Sequence, residues 1–181
     1  MRALIVDHQR VFFGFLGQLI LAIVYFMGIS LALAMEVMHV PKLIVLNIPA
    51  SQYYCYERFF ILPVALSGTI LTSGVIRLAA RLWNGKGQFE NLFALLGFSM
   101  IVIAVIMGLP DLVIGLFVGS GIIAPPGFDY VGPHVWLGTL WYLFLMILSV
   151  REVERLPWRR SIVLAVIGFI VNGMVQFIFI R

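Results

Sequence analysis

Five long stretches of this chain carry no charged side chain: Val11–Met35, Phe59–Ile76, Asn91–Leu109, Val135–Val150 and Ser161–Ile180. A helix needs about 20 apolar residues to cross a hydrocarbon layer roughly 30 Å thick, and these runs come near that length. In hydrocarbon every backbone N–H and C=O must bond within its own segment, so runs of this kind are helices. Composition agrees, with 62% apolar and 11% charged residues, where a soluble domain carries about 25% charged. Too little charge remains to wet a soluble surface. The predicted fold class is an all-α, polytopic membrane helical bundle of five transmembrane helices, with residues 1–181 forming a single membrane domain.

Two stretches need separate treatment. The fourth run has only 16 residues and borrows from Tyr130–His134. The 13-residue stretch Leu112–Ala124 follows Leu109-Pro110-Asp111. It is expected to lie outside the third helix as an interfacial or partly re-entrant piece, with a sixth span as the alternative. The first run follows Arg2 and Arg10 and contains Ala32-Leu33-Ala34, as a secretory signal might. Its 25 residues exceed the roughly 7–15 of a signal core, so it is read as an uncleaved anchor.

Five spans put alternate loops on alternate sides. Residues 1–10, 77–90 and 151–160 hold nine of the twelve basic residues; the other side holds Lys42, Arg58 and Arg181. The positive-inside bias predicts a cytoplasmic N-terminus. Trp83 and Trp158 then mark the inner interface and Trp136 the outer one. The seven basic side chains Arg77, Arg81, Lys86, Arg151, Arg155, Arg159 and Arg160 become candidate contacts for anionic lipid headgroups. Arg77–Trp83 and Arg151–Trp158 share Arg-x-x-x-Arg-Leu before a tryptophan, and each precedes a helix containing Gly-Phe. That pattern fits either a repeated hairpin or the general taste of inner loops for arginine and tryptophan.

Gly85-Lys86-Gly87 looks at first like a phosphate-binding loop. The P-loop pattern needs a glycine where Ala80 stands, a Ser or Thr where Gly87 stands, and a preceding strand. None is present. Asn84-Gly85 and Gly87 instead suit a tight reversal between helices two and three, with Lys86 at its tip.

Within the five runs there is no Asp, Glu, Lys, Arg or His, which weighs against a proton-coupled pump or a carrier of charged substrates. The candidate intramembrane polar contacts are Gln18, Thr69, Thr72, Asn172 and Gln176. Set among small residues such as Gly14, Gly17, Gly68 and Gly168, they read first as helix-packing groups. Catalytic motifs, paired carboxylates and metal-ligand spacings are lacking, so no catalytic, cofactor or metal residue is assigned and no enzyme is expected. His39, His134, Cys55 and Glu57 share a side without a ligand pattern. Glu57-Arg58 is expected as an interfacial ion pair or a solvated one.

Ser67–Ser99, "SGTILTSGVIRLAARLWNGKGQFENLFALLGFS", resembles the central hairpin of the Yip family, membrane proteins first known as partners of Ypt/Rab GTPases. Leu140–Phe169, "LWYLFLMILSVREVERLPWRRSIVLAVIGF", is similar to that family's next block. The resemblance covers roughly residues 59–181 and implies five spans with the N-terminus in the cytosol. Only ten residues precede Val11, and the nearest echo of the family's Asp-Leu-Tyr-Gly-Pro stretch, Asp129–Pro133, lies on the opposite side. Both departures argue against binding a prenylated GTPase; the chain looks more like the short prokaryotic relatives, which implies a prokaryotic inner (cytoplasmic) membrane. The reading is a non-enzymatic membrane protein that organises lipid or partner proteins, another membrane protein or a second copy of itself, with no nucleic acid. The alternative is a small transporter or permease for a neutral or lipidic substrate, which requires a cavity reaching Gln18, Asn172 or Gln176.

Overall fold

The computed structural model describes residues 9–35, 48–124 and 132–179. Arg2, His39, Lys42, Asp129, Tyr130 and Arg181, all used above, lie outside the described residues, as does any grouping that needs them. Five helices among the described residues are long and apolar enough to cross a membrane: α1 (Arg10–Ala34), α2 (Tyr53–Arg81), α3 (Phe89–Gly119), α4 (Pro133–Glu154) and α5 (Trp158–Phe179). Each apolar run coincides with most or part of one helix. α2, α3, α4 and α5 are longer than their runs because an uncharged stretch marks only the part that meets hydrocarbon, while α1 matches its run in length. The backbone ladder continues until a turn signal stops it. Thus α2 takes in Glu57 and Arg58 at one end and Arg77 and Arg81 at the other.

The largest departure from expectation is in α3. Leu112–Gly119 is not a separate interfacial piece; it continues the third helix, which runs 31 residues without a break. At about 1.5 Å per residue this is roughly 46 Å, well beyond the thickness of the hydrocarbon layer. The device that carries the helix past Pro110 is a π-helical turn over Ala104–Gly108, in which Leu109 N–H donates to the Ala104 carbonyl five residues back. In a regular α-helix the Pro110 ring would crowd the carbonyl of Ile106 and remove a hydrogen bond. One widened turn just upstream relieves that crowding, a common role for π-bulges.

Packing contacts fix the topology. α1 and α3 run parallel, with Gly14 against Ala94 and Gly108 against Val24. α2 runs opposite to both α1 and α5, through Gln18–Thr69 at one level and Tyr53 to the Phe179 carbonyl at the far end. α4 runs opposite to α3, with Gly138 against Met107 and His134 beside Asp111. Successive helices therefore alternate in direction, and the α2–α3 and α4–α5 turns meet at one end of the bundle, here the arginine end. The buried apolar core, including Ile76, Leu92, Leu96, Met146, Val150 and Leu164, lies between α2, α3, α4 and α5. Large apolar side chains such as Phe12, Leu78, Phe144 and Ile170 point outward, as a bundle solvated by lipid requires.

Candidate functional site

The α2–α3 turn is built around a carboxylate. α2 ends at Arg81, Asn84 enters the left-handed region at φ 59°, and Gly85 N–H donates back to the Ala80 carbonyl at 2.9 Å. The returning chain meets Glu154, the last residue of α4. Gly87 N–H donates to Glu154 Oε2 at 3.0 Å, and Lys86 N–H donates to the Glu154 carbonyl at 3.3 Å. Arg77 completes the arrangement: its Nη1 lies 2.9 Å from the same Oε2 and 3.1 Å from the Gly85 carbonyl. Glu154 is completely buried and Arg77 largely so.

Gly85 and Gly87 are glycines because the carboxylate occupies the room their side chains would need. A Cβ on Gly85 would stand 2.5 Å from Glu154 Oε2, and one on Gly87 would stand 2.7 Å from Oε1. Gly-Lys-Gly does hold an anion through backbone N–H, though the anion is the protein's own. Gly87→Ala should lower stability by about 1–3 kcal/mol, because it displaces a buried, hydrogen-bonded charge. Thermal unfolding in detergent micelles measures this.

Of the seven basic candidates, Arg77 turns inward to Glu154. The other six basic candidates, Arg81, Lys86, Arg151, Arg155, Arg159 and Arg160, are all exposed at this end. Two of them lie over the tryptophans expected at the interface. The Arg151 guanidinium sits 4.3 Å from the centre of the Trp158 ring, and that of Arg160 sits 5.9 Å from Trp83. Arg155 ends α4 in the left-handed region at φ 55°, turning the chain into Leu156. The two Arg-x-x-x-Arg-Leu stretches do different work here. Arg77 is paired where Arg151 is exposed, and Leu82 is 83% exposed where Leu156 is 6%.

The intramembrane polar residues divide into two groups. Gln18 Nε2 donates to Thr69 Oγ1 in the α1–α2 contact, and Thr72 Oγ1 donates to the Gly168 carbonyl at 3.4 Å. These bonds tie neighbouring helices together. Asn172 and Gln176 instead line a cavity of about 390 Å³ between the helices, beside Tyr25, Asp111, Thr139 and Tyr142. Gln18 is not among its walls.

Sequence reasoning missed Glu57. Glu57 and Arg58, expected as an interfacial or a solvated pair, turn in different directions. Glu57 is fully buried and accepts a hydrogen bond from the Tyr25 hydroxyl at 2.7 Å. Because α2 begins at Tyr53, Glu57 stands a full turn inside the helix and faces α1. Arg58 points elsewhere, over Phe26 and Phe59 and toward Ser30 Oγ at 3.4 Å. Asp111 and His134, 2.7 Å apart, form a further polar pair toward the same end.

The family model described as "Yip1 domain" matches residues 4–180. The match takes in α1 as well as the region from residue 59 onward that carried the resemblance. Neither curated proteins nor solved structures give a match.

Proposed function

Given that the chain belongs to the Yip1 family, we propose that it is a non-enzymatic integral membrane protein that organises anionic lipid, and partner proteins gathered on that lipid, at its arginine end. The observation that carries this reading is the division of labour among the basic residues. One arginine, Arg77, is used to lock the two hairpin turns together through Glu154. Six others stand exposed around that locked platform. A rigid platform lowers the entropy lost when headgroups bind, and each Lys or Arg near an anionic surface contributes about 1 kcal/mol, screened by salt. In this reading the arginine end faces the cytoplasm, where the positive-inside rule places the basic loops.

Reversing Arg155, Arg159 and Arg160 to Glu tests it. The triple variant, reconstituted in vesicles of mixed phosphatidylglycerol and phosphatidylcholine, should lose its enrichment of phosphatidylglycerol in the lipid shell. The wild-type enrichment should fall as salt rises. Unchanged lipid preference together with unchanged topology would retire the proposal.

A further inference from the structure

We propose that the cavity lined by Asn172 and Gln176 is a binding site for a neutral single-chain amphiphile, taking its hydroxyl or carbonyl headgroup and the first part of its chain. The volume of about 390 Å³ falls within the roughly 300–1,000 Å³ of small-molecule sites. It is too small for a whole two-chain lipid.

The wall is mostly apolar, with Leu21, Ile103 and Phe169 among its side chains. Against that wall stand four neutral polar side chains: Thr139, Tyr142, Asn172 and Gln176. Asn172 is more than nine-tenths buried; its Oδ1 is turned toward Gly68 of α2, so the amide N–H is the group this side chain can offer the cavity it lines. A buried amide without a partner is costly in a membrane interior, where no bulk water can answer it. A ligand carbonyl or hydroxyl oxygen placed in the cavity could accept from the amide N–H. Gln176 stands one turn further along the same face of α5, so a headgroup with two oxygens could meet both amides.

Charge sets the class of ligand. Among the described residues no Lys, Arg or His lines the cavity, and the acid in its wall, Asp111, lies 2.7 Å from His134. An anionic headgroup would find no counter-charge among these residues and would stand beside Asp111, and burying it alone is prohibitive. The site therefore suits neutral headgroups, whereas the arginine end suits anionic ones. The two proposals rest on different residues and can fail separately.

The test uses the full-length protein in phosphatidylcholine vesicles. Two photoactivatable probes with the same diazirine-bearing chain are compared: a monoacylglycerol and a monoalkyl phosphate. The expected result is monoacylglycerol adducts concentrated on cavity residues such as Ile103 and Phe169, displaced by unlabelled monoacylglycerol. The alkyl phosphate should not label those residues. Asn172→Leu should reduce the cavity adducts about tenfold, the effect of losing one hydrogen bond of ordinary strength. Adducts on the lipid-exposed Phe144 and Ile170 should not change. Gln176→Leu serves as the second variant, so the test stands if Asn172→Leu does not fold. Adducts spread evenly over the outer surface, equal labelling by the alkyl phosphate, or labelling unaffected by either substitution would each overturn the proposal.

Discussion

Glu154→Leu should lower the stability of the bundle by about 3–5 kcal/mol, the range found when one partner of a buried ion pair is removed. Three losses coincide at this side chain. Arg77, largely buried, would keep its charge with only the Gly85 carbonyl at 3.1 Å to answer it. Gly87 N–H would lose its acceptor at 3.0 Å. The Gly85–Gly87 turn, shaped to leave room for a carboxylate, would close on an apolar side chain. Arg77→Met alone should cost less, since Glu154 would retain the Gly87 N–H. The double variant Arg77→Met, Glu154→Leu should be markedly more stable than the sum of the two single losses predicts, because no unpaired charge is left behind. Reversible unfolding in mixed micelles, run as a double-mutant cycle, measures the coupling. A coupling near zero would mean that the pair does not hold the two hairpins together.

The contrast between Gly85-Lys86-Gly87 and Glu154 shows what a linear reading could and could not reach. The turn was legible, because Asn84-Gly85 and Gly87 are local signals for chain reversal. What the turn encloses was not, because Glu154 is 67 residues from Gly87 and looks in the sequence like one more charge in a polar loop. The same limit hid Glu57. Its burial depends on which face of α2 meets Tyr25 of α1, and an uncharged-run map stops short of it at Phe59. The five spans themselves were plain, because the lack of bulk water in hydrocarbon leaves the backbone one solution.

In α3 a local rule misled. Gly108-Leu109-Pro110-Asp111 has the composition of a helix end, yet the π turn at Ala104–Gly108 absorbs the proline and the helix goes on to Gly119. Among the polar candidates, Gln18, Thr69 and Thr72 lie between helices among small residues. Asn172 and Gln176 share that pattern, but they face a space that is defined jointly by the other helices. Only the packed bundle separates the two cases.

Gly17→Val should be as damaging as the loss of Glu154, for a steric reason. α1 and α3 cross backbone to backbone. A Cβ on Gly17 would overlap the Gly97 carbonyl, and a Cβ on Gly97 would overlap the Gly14 carbonyl. The obstacle in both cases is main chain within a helix, which cannot rotate away as a side chain can. The helices must separate, and the contacts along the crossing weaken with them. Overpacking commonly costs about 1–3 kcal/mol, and a clash against rigid backbone belongs at or above the top of that range. Gly97→Val should behave alike. Two glycines provide the control, because a Cβ on Gly28 of α1 or Gly74 of α2 would meet nothing within 4 Å. Gly28→Ala and Gly74→Ala should be neutral, or stabilising by up to about 1 kcal/mol through helix propensity. Thermal unfolding of the four variants in one detergent measures the difference. If all four behaved alike, the close approach of α1 and α3 would not be what holds this bundle together.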